Sequence, residues 1–460
     1  MKRILALVGG CLVVAGGVQS YPIDGYDHTE IRRVAYTWRV YTGEVPGRAL
    51  PPGAKQRLDT VVPAYIDGNA PPFSLEPDPG FSAEISQVLG EEASEYAVSV
   101  MDLSDPANPT YAEHNGDIRR NVGSVGKLVI GVAFFQALAD TYPDDIEARE
   151  RLLRETVITG DDFIISDHHK VLFFDPETNA REWRKIAIGD TGTLWEWLDW
   201  MLSASNNSAA STMQKQTMLL AHFGKDYPPT PEQEAQFWAD HNYNERGEIF
   251  MGLMNEGLSK NGIDVNLLRQ GSFFTREGKK RVGGTSSYGN VRELVRYLYL
   301  LERGELVDAW SSTELKRLLY MTQRRIRYAS HPVLNPYAVY FKSGSLYSCQ
   351  PEEGFTCKQY QGNKLNLLAS VAIVEGPVPD EDYHYLVAVS SNVLKKNSAV
   401  AHQTLALRIH RMIEARHADR LAAEKAAAAA AAAAEAAAAE AAEAEKPAAP
   451  VSLEATTPGD

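Results

Sequence analysis

The segment NVGSVGKLVIGVAFFQAL, Asn121 to Leu138, places a lysine three residues after a serine and follows both with an almost wholly apolar run. Serine and lysine at this spacing share one face of a helix. Burying a lysine ammonium is costly unless the group is paired or loses its proton. Lys127 is therefore either a residue at the solvated end of a helix or a group held beside Ser124 for chemistry.

The overall composition is that of a globular protein. The chain has 460 residues and a formal net charge of −14, and it is long enough for one large core or two. No basic stripe that could neutralise phosphates is visible, which argues against a nucleic-acid partner.

The first twenty residues predict an export signal. A short positive segment precedes an apolar run, and Val18 and Ser20 are small enough for cleavage before Tyr21. An uncleaved anchor is the alternative, and Cys11 in LVGGC leaves a lipoprotein open as the minority interpretation. We therefore expect a periplasmic or secreted protein, attached to a membrane only if it is lipid-anchored through Cys11.

Removal of the signal would leave two cysteines, Cys349 and Cys357, in the segment SCQPEEGFTC. Two cysteines so close together in an exported chain most simply form a disulfide. Metal binding by two thiols is the weaker alternative, because no histidine lies nearby to complete a site.

Strand-like segments occur near both ends of the globular part, with helical patterns between them. EYAVSVMDLS and PTYAEHNGD precede the helical region, and YAVYFKSGSLYS, NLLASVAIVEG and YHYLVAVSSNV follow it. This order predicts a sheet made from both ends of the domain with a helical lobe inserted. The predicted boundaries are a signal peptide at 1–20, an N-terminal arm at 21–79, a main domain at 80–415 with its helical lobe at about 125–285, and an alanine- and glutamate-rich helical tail at 416–460.

Two further short motifs follow S-x-x-K along the chain. Ser205 and Asn207 form S-x-N where a strongly apolar helix stops and a small-residue helix begins, a place where both residues also serve as helix stop and cap. Lys342, Ser343 and Gly344 form K-S-G near the end of a strand, where an exposed lysine before a turn is the ordinary reading. Each motif alone is weak evidence of chemistry.

Together, the three motifs resemble the serine β-lactamase and penicillin-binding protein superfamily, especially its class A-like branch. The similarity extends over about Gly80 to Ala415 and includes TGTLWEWLDWMLSASNNSAAS and TSSYGNVRELVRYLYLLERGEL. It implies an α/β (α+β) fold of the β-lactamase/transpeptidase type, with an antiparallel sheet flanked by helices and an inserted all-helical lobe.

The resemblance also implies catalytic roles. Ser124 would be the nucleophile that forms an acyl-enzyme, and Lys127 would take its proton during acylation. Ser205 would relay a proton to the leaving nitrogen. Lys342 would supply positive charge for the substrate carboxylate and for the Ser205 hydroxyl.

Four further residues would bind the substrate by the same resemblance. Asn207 would hold the substrate's amide side chain, and Ser343 would bind its carboxylate. Gly344 would permit close approach of the backbone. The backbone N–H groups of Ser124 and Ser345 would form the oxyanion hole.

The chain departs from the class A pattern where that branch carries a deacylating glutamate in E-x-x-L-N. No such pattern occurs between Asn207 and Ser286. Glu277 is the nearest candidate for the deacylation base, although its basic neighbours are also typical of a surface glutamate. His168 and His169 raise the question of a metal, but adjacent histidines in a polar loop are typically just solvated.

The sequence therefore predicts an exported serine hydrolase that needs no metal or organic cofactor. Its substrate would be a β-lactam or a peptidoglycan stem peptide ending in D-Ala-D-Ala, since both share the first half-reaction. Two alternatives stay open, namely a non-catalytic penicillin-recognising or cell-wall-binding protein and an esterase on the same scaffold.

Overall fold

The computed structural model describes residues 24–47, 49–376 and 383–444. The predicted signal peptide and Cys11 lie outside the described residues, as does the end of the predicted tail after Ala444. Contacts divide the chain into two compact units, Met1–His410 and Arg411–Asp460. The domain boundaries drawn from the sequence stay predictions.

Helices and short strands alternate through most of the chain. The strands are β1 (Tyr96–Asp102), β2 (Thr110–His114), β3 (Val157–Thr159), β4 (Val171–Phe174), β5 (Arg181–Arg184), β6 (Thr191–Thr193), β7 (Leu268–Arg269), β8 (Tyr288–Gly289), β9 (Ala338–Ser348), β10 (Leu365–Glu375) and β11 (His384–Ser391). The helices are α1 (Gly25–Thr29), α2 (Arg32–Tyr41), α3 (Pro79–Leu89), α4 (Lys127–Thr141), α5 (Ile146–Glu155), α6 (Leu194–Leu202), α7 (Asn207–Phe223), α8 (Pro231–Asp240), α9 (Tyr243–Ser259), α10 (Arg276–Arg281), α11 (Val291–Glu302), α12 (Ala309–Tyr320) and α13 (Ser398–Ala444).

The main sheet has five antiparallel strands in the order β2-β1-β11-β10-β9. Strand β1 pairs with β11, which follows it by almost 300 residues, with Val98 opposite Val389. Strand β9 lies at one edge and pairs with β10, with Lys342 opposite Val371. The sheet is thus made from both ends of the domain, and the predicted fold class is confirmed.

Helix α4 lies at the centre of the helical lobe and packs against α7 and α9. It is buried on nearly every side, including Phe134 and Phe135, as expected for a helix that is apolar all round. By length and composition alone, the helical stretch Gly123–Thr141 could cross a membrane, but most of it is buried inside the protein.

The predicted N-terminal arm forms α1, α2 and several tight turns, and it packs closely against the main domain. Arg33 on α2 donates to the Asp199 carboxylate on α6 from two nitrogens, one at 2.6 Å, and both side chains are almost fully buried. Further along, the buried Lys316 amine donates to the Val62 carbonyl at 2.8 Å. The arm therefore contributes to the core as well as to the surface.

Two local predictions can be followed in the structure. Cys349 and Cys357 form a disulfide with their Cα atoms 6.2 Å apart, as expected. Helix α13 continues through the alanine run Ala426–Ala434 to Ala444, which agrees with the high helix propensity of alanine.

Breaking the buried pair between arm and lobe should destabilise the protein strongly. We expect Asp199→Asn to lower the free energy of unfolding by about 3 kcal/mol or more, because it leaves the Arg33 guanidinium buried without its counter-charge. Urea unfolding would measure the loss. Asp59→Asn is the matched control, since Asp59 pairs with Arg57 at the surface; equal effects of the two variants would contradict the prediction.

Candidate active site

The S-x-x-K motif lies where the chain enters the helical lobe. Ser124 is half-buried in a 3₁₀ turn, Gly123–Gly126, and Lys127 is the first residue of α4. This geometry brings the Lys127 Nζ to 3.0 Å from the Ser124 Oγ. The side chains are therefore close enough for direct proton transfer.

The Lys127 amine is fully buried among oxygen acceptors and an aromatic ring. Its Nζ donates to the Ser205 carbonyl at 2.6 Å and to the Asn207 Oδ1 at 2.7 Å. It also lies 4.5 Å from the centre of the Phe274 ring. Burial lowers the pKa of Lys127 to about 7, although the nearby Asp167 carboxylate acts in the opposite direction. A large fraction of the amine is therefore unprotonated at neutral pH and able to accept a proton.

The S-x-N motif joins α6 to α7 and faces Lys127. Ser205 has a left-handed backbone with φ of 58°, an uncommon conformation for a residue with a side chain. Asn206 then caps α7 by accepting from the Ala209 N–H at 2.8 Å. The turn presents the Ser205 carbonyl and the Asn207 side chain to the same amine.

Lys342 reaches the same hydroxyl from the sheet. Its Nζ donates to the Ser205 Oγ at 2.7 Å and to the Ser343 carbonyl at 3.1 Å. Burial, together with the positive charges of Lys127 and Arg327, lowers the pKa of Lys342 well below its usual value. The Ser205 Oγ also lies 3.5 Å from the Lys127 Nζ, so one hydroxyl connects the two amines.

Gly344 allows β9 to approach the turn that carries Ser124. A Cβ added to this residue would lie 2.2 Å from the Val122 carbonyl oxygen and 2.3 Å from the Ser124 nitrogen. On the other side, a Cβ at Gly123 would lie 3.1 Å from the Ser345 nitrogen. The backbone nitrogens of Ser124 and Ser345 therefore lie near one another, while their oxyanion role stays a prediction.

Arg327 extends the site and was not found from the sequence. Its guanidinium donates to the Ser343 Oγ at 2.8 Å, to the Ser345 Oγ at 2.9 Å and to the Tyr360 hydroxyl at 3.3 Å. Within the described residues, its buried Nε has no hydrogen-bond partner. Ser343 and Ser345 follow Arg327 by 16 and 18 residues. No motif or periodicity in the sequence indicates a contact at these separations.

Asp167 is a second functional candidate that sequence reasoning missed, and it fixes the polar insertion to α7. Its Oδ1 accepts from the His169 Nδ1 at 2.7 Å, and its Oδ2 accepts from the Asn207 N–H at 2.7 Å and the Ser208 N–H at 3.1 Å. Burial opposes ionisation, but these hydrogen bonds hold the pKa of the Asp167 carboxyl well below its usual range.

The same carboxylate belongs to a cluster with metal-ligand atoms. Asp167, His168 and His169 bring such atoms within 4.8 Å of one another. Both carboxylate oxygens, however, already accept hydrogen bonds from histidine and backbone groups, and the His168 side chain is 82% exposed. The arrangement fits an anchor for the S-x-N turn better than a metal site.

The Glu277 carboxylate pairs with a basic neighbour on its own helix. Glu277 lies on the short helix α10 and forms an ion pair with Lys280 at 2.7 Å. Within the described ranges, its carboxylate forms no hydrogen bond with Ser124 or Lys127. Its assignment as the deacylation base stays a prediction without geometric support.

Similar backbones are found among solved structures. PBP-A matches with 14% identity over 74% of this chain and 99% of that chain, at a TM-score of 0.46. An acyl-enzyme complex of a PBP-A mutant with penicillin G has 13% identity, the same coverages and a TM-score of 0.47. A β-lactamase from Sphaerobacter thermophilus has 14% identity over 73% of this chain and 96% of that chain, at a TM-score of 0.46.

No protein-family model and no curated protein matches the chain. The solved structures belong to the superfamily that the three motifs resemble. At these identities and TM-scores they carry no conclusion about what this chain does, which follows from the geometry of its own site.

The reactivity of Ser124 should rise with pH around neutrality. Because the pKa of Lys127 is about 7, its unprotonated fraction grows as pH increases through 7, and so should the rate of serine labelling by a fluorophosphonate. Lys127→Arg should abolish labelling at every pH, since a guanidinium stays charged. Equal rates at pH 6 and pH 8 would contradict the assigned base.

A methyl group at Gly344 should disrupt the site more than the fold. We expect Gly344→Ala to reduce fluorophosphonate labelling at least about tenfold, because a misplacement of 1 Å near the chemistry costs far more than that. Gly252→Ala is the matched control, since a Cβ there meets no atom within 4 Å. Labelling that is unchanged in both variants would show that the close contact is dispensable.

Proposed function

We propose that this protein is a serine hydrolase that forms an acyl-enzyme on Ser124 with a β-lactam or a D-Ala-D-Ala-type peptide. The observation that carries the proposal is the convergence of two buried lysines on two serine hydroxyls. Lys127 lies 3.0 Å from the Ser124 Oγ, and Lys342 lies 2.7 Å from the Ser205 Oγ. A nucleophile, a base and a proton relay are thus in contact.

The geometry supports the following acylation. The Ser124 Oγ attacks the carbonyl carbon of the amide while its proton passes to the unprotonated Lys127 Nζ. The C–N bond then breaks, and the leaving nitrogen receives a proton from the Ser205 Oγ, which is replenished from Lys127. Attack of water on the resulting ester would release the acid and restore the Ser124 hydroxyl.

In this proposal, Arg327 and the two serines that it contacts bind the substrate carboxylate. Ser343 and Ser345 present their hydroxyls to the same guanidinium at 2.8 and 2.9 Å. A carboxylate bound there would accept hydrogen bonds from the serines and gain the charge of Arg327. Both proposed substrate classes carry a carboxylate close to the amide that is cleaved.

Slow deacylation is the outcome that the surroundings of Lys127 favour. In the part of the chain that the structure describes, no Asp or Glu carboxylate forms a hydrogen bond with Ser124 or Lys127. Asp167, which lies nearby, is a weak base because its oxygens are engaged. We therefore propose the behaviour of a D,D-peptidase or penicillin-binding protein, exported as the N-terminal sequence suggests.

A fluorescent penicillin tests the proposal directly. We expect rapid covalent labelling that persists for many minutes, and no labelling of Ser124→Ala. Ser259→Ala is the control, because Ser259 is an exposed serine on α9.

The other outcomes select the alternatives. A label lost through turnover would indicate a β-lactamase, and reversible binding without a covalent label would indicate a non-catalytic penicillin-recognising protein. Ester cleavage that depends on Ser124, without penicillin labelling, would indicate an esterase. A label that survives in Ser124→Ala would refute the site.

A further inference from the structure

A cavity of about 360 Å³ adjoins the proposed relay. Ser205 and Lys342 form part of its wall, so it opens onto the residues that carry the proposed chemistry. Another part of the wall contains Lys170, Trp183 and Arg324. A ligand that fills this cavity beside Ser205 and Lys342 would therefore also meet these three side chains.

The charge of this cavity is opposite to that of the chain. The chain as a whole has 46 basic and 60 acidic residues. Yet among the described residues that line the cavity, none is an aspartate or a glutamate, while Lys170 and Arg324 are basic. A cleft lined by one sign of charge raises the local concentration of ligands of the opposite sign.

Lys170 and Arg324 are exposed and not neutralised by a neighbouring acid. Across the described ranges, neither side chain takes part in an ion pair. Arg184, on the same strand as Trp183, shows the contrast, because it pairs with the Asp190 carboxylate at 2.6 Å. The two cavity cations are thus available to a ligand.

Trp183 gives this part of the wall a defined geometry. The Arg324 guanidinium lies over the Trp183 ring, 4.7 Å from its centre. Stacking on an aromatic face orients a guanidinium while leaving its N–H groups free to donate. Trp183 is still 37% exposed, so it also offers apolar surface to a ligand.

We propose that Lys170, Arg324 and Trp183 form a second anion subsite, which selects substrates that carry an additional carboxylate away from the one held near Ser343. The preferred ligand is therefore a dianion with an apolar or aromatic group next to its second carboxylate. Its use in catalysis rests on the proposed acyl-enzyme function, whereas its binding does not.

Matched ligand pairs that differ by one negative charge test the subsite. Carbenicillin is benzylpenicillin with an added carboxylate on its side chain, and succinyl-D-Ala-D-Ala differs from the succinamoyl peptide by the charge of one group. In the β-lactam pair, we expect the acylation rate constant of the dianion to be about five- to tenfold larger than that of the monoanion. If the natural ligand is a peptide, the cleavage rate should show the same preference in the peptide pair. The preference should decrease at high salt.

Variants assign the preference to the two cations. Lys170→Gln with Arg324→Gln should bring the dianion-to-monoanion ratio close to one, with each single change lowering the ratio about two- to threefold, within the range of exposed ion pairs. Lys225→Gln is the control, because Lys225 is an exposed lysine that does not line this cavity. A ratio unchanged in the double variant would overturn the proposal.

Equilibrium binding to Ser124→Ala separates the two proposals. This variant has no nucleophile, so the difference in affinity between the two penicillins, measured by calorimetry, reports the subsite without acylation. Tighter binding of carbenicillin that disappears with Lys170→Gln and Arg324→Gln would support the subsite, even if wild-type protein is never acylated. Equal affinities for both penicillins would refute the subsite while leaving the acyl-enzyme proposal intact.

Discussion

The site depends on keeping two lysine amines out of water beside one hydroxyl. Lys127 comes from the helical lobe and Lys342 from the edge strand of the sheet, and both reach the Ser205 Oγ. Desolvation disfavours each ammonium, and each positive charge disfavours the other. Hydrogen bonds to oxygen acceptors offset part of the free-energy cost of burying the amines. Burial lowers the pKa of Lys127 to about 7, so that this amine can act as a base near neutral pH.

This arrangement requires rigid support from the backbone on both sides. On the lobe side, Asp167 binds the first N–H groups of α7 and so fixes the turn that carries Ser205 and Asn207. On the sheet side, Gly344 lets β9 lie directly against the turn that carries Ser124. Small displacements on either side would separate the amines from the hydroxyls, because side-chain hydrogen bonds weaken over a few tenths of an ångström.

Charge is distributed unevenly around this centre. The chain is strongly acidic, but Arg327 behind Ser343 and the two cavity cations Lys170 and Arg324 are basic groups around one cleft. Such a field attracts anions to the cleft. The electrostatics of the cleft therefore select ligands before any specific contact is made.

The sequence by itself determined that strands near both ends of the domain form one sheet, because periodicity records which face of each element is buried. The three motifs implied the fold class by resemblance, and two close cysteines in a chain with a predicted export signal indicated the disulfide. It also identified Ser124, Lys127, Ser205 and Lys342, which the tertiary structure then brought together. It did not reveal Arg327, Asp167 or the cavity cations, and it offered Glu277, whose carboxylate pairs with Lys280. The positions of these side chains depend on contacts between segments that are far apart in the chain. Local sequence patterns do not indicate which distant side chains will be in contact.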